Sequence, residues 1–154
     1  MYTIRRAEPA DRNRIMELLE QVNRVHYEGR PDLFRPGTKY SEEELALLME
    51  KEDRPIFVYA EEGQVLGYAF CILQRPNSRL MTDIKTLYID DLCVDKSSRG
   101  RHVGTQLYQQ VLEYARTTNC YNVTLNVWAC NESAHSFYEH LGLKPQKYGM
   151  EYIL

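Results

Sequence analysis

The chain lacks the features that would assign it to several specialised classes of protein. It has no run approaching the ~20 apolar residues of a membrane-spanning helix, and its N-terminus carries no apolar signal segment. Its four cysteines show neither CxxC spacing nor a histidine at ligand spacing, so we expect no metal site and a reducing compartment. A formal net charge of −3 argues against a nucleic-acid partner. The prediction is a cytoplasmic protein that binds no metal, membrane or nucleic acid.

The composition that is present is that of an ordinary globular protein. Hydrophobic residues make up 44% of the 154 positions and charged residues 27%. No internal repeat or low-complexity segment divides the chain. This length is enough for one hydrophobic core, so we expect a single domain over residues 1–154.

The first third of the chain predicts one strand and two helices. Residues 2–5 are β-prone, and Pro9 suits the first position of a helix whose apolar residues then recur at helical spacing. Residues 28–40 combine glycines, prolines and basic residues, which indicates a loop. Ser41 followed by Glu44 is typical of a capping box, so a second helix begins there.

The rest of the chain alternates strands with helices. The pattern predicts a hairpin of strands 55–60 and 65–73, followed by a long strand at 84–94. A turn with a helix follows at 99–115, and a parallel strand at 121–128. A further helix at 131–142 and one or two closing strands within 145–154 complete the chain. A right-handed crossover makes the strand at 121–128 the parallel partner of the long strand. The order βααβββαβαβ predicts an α/β fold, an α+β mixed sheet with helices on both faces.

The turn at residues 99–105 reads Arg-Gly-Arg-His-Val-Gly-Thr. It joins the long strand to a helix, so it directs unpaired backbone N–H groups and the positive end of a helix dipole toward one point. Arg99 and Arg101 add positive charge there. These features favour a pyrophosphate ligand; the alternative is a tight strand-to-helix turn that binds nothing. The turn lacks the Lys-Ser/Thr of a P-loop.

A second motif follows the next strand, where Asn131 can cap a helix that carries Ala134, Phe137 and Tyr138. Together the two motifs resemble those of the GCN5-related N-acetyltransferase (GNAT) superfamily. Its members carry Arg/Gln-x-x-Gly-x-Gly/Ala at the pyrophosphate turn and Asn-x-x-Ala-x-x-x-Tyr in the helix after the following strand. The order of elements matches over nearly the whole chain, so the resemblance implies a GNAT-like acyl-CoA N-acyltransferase fold.

The resemblance implies acetyl-CoA as acetyl donor and a set of cofactor-binding residues. These are Cys93, Val94, Arg99, Gly100, Arg101, His102, Val103, Gly104, Thr105, Asn131 and Tyr138. His102 stands where the family usually has its middle glycine. A helical φ would tolerate a Cβ there, whereas a positive φ would cost about 1 kcal/mol for a histidine.

The resemblance also implies roles at the acetyl group. Tyr138 would lie near the thioester sulfur as an acid or hydrogen-bond donor, and the alternative is a core tyrosine. A backbone N–H of the Cys93–Val94 region would stabilise the oxyanion. Cys93 as an acyl-carrying nucleophile is a less favoured alternative, because the sequence places no histidine base beside it.

Asp90 and Asp91 are the candidate bases, since two adjacent aspartates inside an apolar strand oppose β-propensity. Strand alternation predicts that one carboxylate faces each side of the sheet. We assign Asp90 to the acceptor amine, by resemblance to family members that acetylate polyamines, and assign Asp91 to stability. The alternative is that either carboxylate only pairs with a basic side chain on a neighbouring strand.

The resemblance places the acceptor beside the early helices and their loop, and the residues concerned are His26, Arg30, Asp32, Arg35 and Lys39. The predicted function is direct transfer of an acetyl group to a primary amine, with a polyamine or other small amine favoured. A protein N-terminus or lysine is the alternative acceptor, and a catalytically silent acyl-CoA-binding sensor is the alternative class. By the same resemblance we expect a homodimer formed through the C-terminal strands.

Overall fold

The computed structural model describes all residues from 1 to 154 and contains one five-stranded sheet. The strands lie in the sheet in chain order: β1 (Tyr2–Arg6), β2 (Ile56–Glu61), β3 (Gln64–Gln74), β4 (Thr86–Val94) and β5 (Asn122–Leu125). The first four strands pair antiparallel, and β4 pairs with β5 in parallel. The predicted mixed sheet and its parallel pair are confirmed.

Four helices cover the two faces of the sheet: α1 (Arg12–Gly29), α2 (Glu42–Met49), α3 (Val103–Thr117) and α4 (Glu132–His140). Two short 3-10 helices, Pro9–Asp11 and Lys96–Ser98, precede α1 and the turn before α3. None of the helices has both the length and the apolar run that crossing a bilayer requires.

The core has two layers, one on each face of the sheet. On one face α3 packs through Val103, Leu107 and Val111 against Leu87 and neighbouring strand residues. On the opposite face the buried side chains of α1 and α2 pack against β2, β3 and β4: Ile15, Leu18, Leu19, Leu45, Leu48, Ile56, Val58, Val65, Tyr68, Phe70 and Cys93. Helices on both faces are therefore confirmed, and each face of the sheet has its own hydrophobic core layer.

Local sequence signals fix the ends of the early helices. Ser41 Oγ accepts a hydrogen bond from the Glu44 backbone at 3.1 Å, and a Glu44 carboxylate oxygen accepts from the Ser41 backbone at 3.0 Å. This reciprocal pair is the predicted capping box at the start of α2. The start of α1 is held by Asp11, whose carboxylate accepts from Arg5 at 2.7 Å and from the Glu8 backbone at 2.7 Å.

The predicted closing strands over residues 145–154 are wrong. This segment forms no strand, its residues are exposed, and its Glu151 carboxylate reaches back to Arg30 at 2.5 Å. A strand pairs in the sheet when it can bury one face against a partner, and β5 offers an edge of only four residues. The observed order is βααβββαβα, and β5 is shorter than the predicted strand at 121–128.

Candidate active site

The sheet opens between its two parallel strands. Their pairing runs from Thr86 opposite Asn122 to Ile89 opposite Leu125, where β5 ends. Strand β4 continues to Val94, paired only with β3. Backbone groups of β4 beyond Ile89 therefore face an edge without a strand partner. The Cys93–Val94 region, from which one backbone N–H is predicted to stabilise the oxyanion, lies on this open stretch.

A β-bulge in β4 lies at the start of the open stretch. Phe70 of β3 pairs with Asp91 and the next residue, Cys71, pairs with Ile89, so Asp90 is an extra residue in the ladder. A bulge interrupts the alternation of side chains along a strand. Ile89 before the bulge and Leu92 after it both pack on the α3 side of the sheet, so the two aspartates between them do not lie on opposite faces.

Both carboxylates point to the face covered by α1 and α2. Asp90 contacts Lys39 and Tyr40 of the loop before α2, and Asp91 contacts Tyr68, which lies in the core of that face. The prediction that one carboxylate faces each side of the sheet is wrong, because it assumed a regular strand. The bulge instead brings two acidic groups together on one face of the sheet.

Asp90 is held in a small cluster of polar groups. Its Oδ1 accepts from Lys39 Nζ at 2.9 Å, its Oδ2 accepts from the Tyr40 hydroxyl, and its backbone oxygen accepts from Lys39 Nζ at 3.2 Å. Only 12% of its side chain is exposed. Asp90 does pair with a basic side chain, but that side chain comes from a loop and not from a neighbouring strand, as the alternative had it.

Asp91 is buried and paired with a phenol. The Tyr68 hydroxyl donates to Asp91 Oδ2 at 2.8 Å. Burial raises the pKa of Asp91 to about 6, because the charged form loses hydration, and the hydrogen bond from Tyr68 offsets part of this rise. A carboxylate with a pKa near neutrality is matched to proton transfer at neutral pH.

Tyr138 lies half-buried on α4, edge to face with Phe137 at 5.1 Å between ring centroids. Its hydroxyl makes no hydrogen bond within the chain, so it is available to a ligand. Burial, with a smaller effect of the nearby Asp91 charge, raises the pKa of Tyr138 above its usual value. A phenol with a raised pKa is a poorer acid, which favours hydrogen-bond donation over full proton transfer.

The turn before α3 presents unpaired amides. The first α3 residue whose N–H bonds back along the helix is Gln106, which donates to the His102 oxygen at 3.0 Å. The N–H groups of Val103, Gly104 and Thr105 precede it and have no partner in the helix. Such amides at a helix N-terminus are suited to a phosphate group.

Two residues of this turn have left-handed backbone conformations. Gly100 has φ of 80°, and His102, at the N-cap of α3, has φ of 64° and ψ of 18°. This conformation explains why the family usually has glycine where this chain has His102. A histidine with left-handed backbone angles costs about 1 kcal/mol relative to glycine. The His102 side chain makes no capping hydrogen bond.

Two residues of the predicted pyrophosphate site also make contacts within the fold. The Arg101 guanidinium pairs with Glu61 at the end of β2, so its charge is offset, whereas Arg99 forms no ion pair within the chain. A Cβ on Gly104 would lie 3.0 Å from the ring of Phe137 and 3.4 Å from Val94. A side chain at Gly104 would therefore meet α4 and β4, and the residue permits the close approach of these elements.

Helix α1 holds the segment just before the turn. Arg14 pairs with Asp95, which also accepts from the Ser97 backbone at 3.3 Å. The Gln21 side chain accepts from the Lys96 backbone at 3.2 Å. The sequence carries no local signal for the contacts of Arg14 and Gln21, because their partners are more than 70 positions away.

An aromatic cluster lies beside the opening. His26, near the end of α1, packs on Phe34 at 5.1 Å, and Phe34 packs edge-on against Trp128 at 5.0 Å. Burial and the nearby Lys39 charge lower the pKa of His26, which keeps its ring neutral. The loop after α1 is thereby joined to the segment between β5 and α4. Arg30 forms ion pairs with Asp32 at 2.8 Å and with Glu151.

Two further predicted residues have clear structural positions. The Asn131 side chain caps α4 by accepting from the Ala134 backbone at 3.2 Å, as predicted. Cys93 is buried, its thiol donates to the Leu18 oxygen at 3.5 Å, and burial raises its thiol pKa to about 12. A thiol that stays protonated is a poor nucleophile, so the structure gives no support to Cys93 as an acyl carrier.

Comparisons with known proteins agree with this architecture. The model of the acetyltransferase (GNAT) family matches residues 16–143. An uncharacterized N-acetyltransferase of Methanocaldococcus jannaschii is 25% identical over 146 residues, which cover 95% of this chain and 62% of that protein. A glucosamine 6-phosphate N-acetyltransferase of Oryza sativa is 28% identical over 142 residues, which cover 92% of this chain and 80% of that protein.

A solved structure shares the whole fold. The crystal structure of a mutant protein from Bacillus halodurans superposes with a TM-score of 0.94 at 29% identity, covering 99% of both chains. The chain spans less than two thirds of the length of the archaeal relative. The family match covers most of the chain and includes α1, the bulged strand β4, the turn at 99–105 and α4. The chain therefore belongs to the acetyltransferase (GNAT) family.

Proposed function

We propose that this chain transfers the acetyl group of acetyl-CoA to a primary amine. The observation that carries the proposal is the bulge at Asp90, which sets two carboxylates at the point where β5 leaves β4. The unpaired amides that open α3 follow β4 directly in the chain. The sites for the acetyl donor and for the acceptor amine would thus both lie along β4.

The donor end of the site is the open stretch of β4 with the turn at residues 99–105 and the start of α4. The amides of residues 103–105 and the unpaired Arg99 suit a pyrophosphate. The N–H groups that alternate toward the open edge of β4, with Val94 among them, suit the pantetheine arm and the thioester oxygen. Asn131, through its remaining amide protons, and Tyr138, through its free hydroxyl, complete the set of donors.

The acceptor end of the site is formed by Asp90, Asp91, the end of α1 and the loop at residues 30–41. An amine with a pKa near 10.4 is protonated at neutral pH, and freeing it costs about 4–5 kcal/mol. Asp90 would hold the ammonium group, and the buried Asp91, with a pKa of about 6, would take its proton through water. The reaction is direct transfer in a ternary complex.

The acceptor in this proposal is a small amine. Two carboxylates favour a cationic acceptor such as a polyamine. The plant relative's name specifies an amino-sugar phosphate, which is also a small primary amine. A panel of polyamines, amino sugars and peptides, assayed by release of CoA thiol, tests the proposal. Sustained turnover with a small amine supports it, and CoA binding without turnover of any amine indicates the acyl-CoA sensor instead.

We also propose that the protein is a homodimer in the cytoplasm. Residues 148, 150, 152 and 154 are apolar and exposed, in the two-residue period of a strand, and β5 has one unpaired edge. A second copy could add this segment to its own sheet. The four free cysteines suit a reducing compartment. Sedimentation as a monomer at tens of micromolar, on the order of assay concentrations, would contradict the dimer.

A further inference from the structure

The amine of Lys39 lies where the proposed function places the amine of a substrate. Its ammonium donates to both the carboxylate and the backbone oxygen of Asp90, at 2.9 Å and 3.2 Å. Both acceptors belong to the bulge residue at the mouth of the opened strands. Lys39 is the one lysine of the six in the chain whose ammonium forms an ion pair.

Lys39 is held there by anchors on both sides of it. The next residue, Tyr40, stacks on Phe70 at 5.7 Å with rings 11° from parallel, and its hydroxyl donates to Asp90. Toward the N-terminus, the Asn23 amide donates to the backbone oxygens of Arg35 and Gly37, each at 3.0 Å. The loop therefore presents the Lys39 amine to the acceptor end in a defined position, as a bound substrate would be presented.

We propose that Lys39 is a self-acetylation site, to which the protein transfers an acetyl group from acetyl-CoA within one chain. The inference rests on the proposed acetyltransferase function. It deepens that function, because it names an amine that the acceptor end already holds.

The reaction is balanced without a further reactant. The Lys39 ammonium loses one proton to the acceptor-end carboxylates, and from them to solvent. The free amine attacks the thioester carbonyl carbon, so that a C–N bond forms and the C–S bond breaks. The CoA thiolate leaves and takes up a proton. The products are Nε-acetyl-Lys39, CoA thiol and one proton in solution.

Acetylation would change the acceptor end, because an acetylated lysine carries no charge. It can no longer form an ion pair with Asp90. The carboxylate would then be available to the ammonium of a free substrate. Lys39 in its unmodified form thus competes with cationic acceptors for the same group, and self-acetylation relieves this competition.

The test incubates the full-length protein with acetyl-CoA and no acceptor, and measures acetyl occupancy at every lysine by peptide mass spectrometry. Protein concentration is varied tenfold, across the range in which sedimentation shows any dimer to dissociate, to separate transfer within a chain from transfer between chains. Lys39→Arg keeps the charge but removes the acceptor amine. Lys51→Arg is the matched control, because Lys51 is exposed and has no carboxylate partner. Tyr138→Phe tests whether the chain's own donor end is required, and thiol release with the amine panel runs in parallel.

We expect acetylation of Lys39 at least tenfold faster than of any other lysine, with a rate constant independent of protein concentration and reduced about tenfold by Tyr138→Phe. Preincubation should also raise kcat/KM for a cationic amine in the Lys51→Arg control but not in Lys39→Arg. Equal modification of all exposed lysines, or a rate that rises with protein concentration, overturns the inference. So does an unmodified Lys39 in protein that turns over an external amine, and then the proposed function stands. Absence of reaction with every amine overturns both.

Discussion

The donor end and the acceptor end of the site are built in different ways. The donor end consists mainly of backbone groups from one continuous segment, with amides at the start of α3 and along β4. The proposed acceptor end consists of side chains from distant segments, such as His26, Lys39 and Asp90. Every residue except proline offers a backbone N–H, so a site made of backbone groups restricts residue type only where a positive φ or a close contact excludes a side chain. A side-chain site depends on packing, so it can be remodelled without changing the donor end.

The largest effect should come from the acceptor end, at Asp90. Asp90→Asn keeps the shape of the side chain and removes the charge that would hold an ammonium group. We expect kcat/KM for a cationic amine to fall about 10²-fold, with partial recovery at higher pH, where more free amine exists. The affinity for acetyl-CoA, measured by calorimetry, should not change.

Asp83→Asn is the matched control for this prediction. Asp83 also accepts from a cationic side chain, Arg75, at 3.1 Å, but it lies in the loop between β3 and β4 and is 82% exposed. Its replacement should leave kcat/KM unaltered. If Asp90→Asn lost acetyl-CoA affinity by as large a factor as it lost kcat/KM, the donor end and the acceptor end would not be separable.

Asp91 should affect stability in a pH-dependent way. Its pKa of about 6 lies above that of an unfolded aspartate, so the folded state binds the proton more tightly. Stability contributed by the protonated form is fully present below about pH 4 and is lost as the pH rises through 6. Asp91→Asn, which still accepts from Tyr68, should therefore be more stable than wild type at pH 7, by about 3 kcal/mol.

Urea denaturation at pH 4 and pH 7 measures this difference, which should vanish at the lower pH. A variant that is less stable than wild type at pH 7 would mean that the ionised carboxylate stabilises the fold. In wild type, kcat should also decline as the pH falls through 6, because protonated Asp91 accepts no proton.

Tyr138 should have a moderate effect confined to the chemical step. Its raised pKa makes it a hydrogen-bond donor more than an acid, so Tyr138→Phe should lower kcat by about tenfold, and the ring should keep its contact with Phe137. Steady-state kinetics and thermal unfolding together check this. Wild-type turnover in the variant would identify Tyr138 as a packing residue.

The smallest effect should come from the donor end, at His102. His102→Gly removes a Cβ from a left-handed position, so we expect a gain of about 1 kcal/mol in stability. Acetyl-CoA affinity should be kept, because the amides that follow do not depend on this side chain. A loss of affinity would instead assign the imidazole to phosphate binding. Arg101→Ala is the control for the affinity measurement. Because Glu61 already offsets the charge of Arg101, this variant should also keep its affinity for acetyl-CoA.

The local signals of the sequence predicted the helix caps and most of the elements correctly. The capping residues Ser41 and Asn131, the glycine turn and the alternation of strands and helices each depend on a few adjacent residues, and the structure has them. The prediction of closing strands is wrong because it rests on a local pattern alone. The two-residue period of residues 148–154 predicts a strand, but a strand exists only where a partner edge accepts it.

By itself, the sequence determined the order of elements as far as α4, the family motifs and the two aspartates in an apolar strand, because these follow from periodicity and residue type. Tertiary structure decided where those aspartates point. The register between β3 and β4 leaves one residue over, and the resulting bulge turns Asp90 and Asp91 to the same face. It also decided that Lys39 and Tyr40, 50 or so positions away, meet Asp90. Such contacts depend on how helices pack on a sheet, which no local pattern encodes.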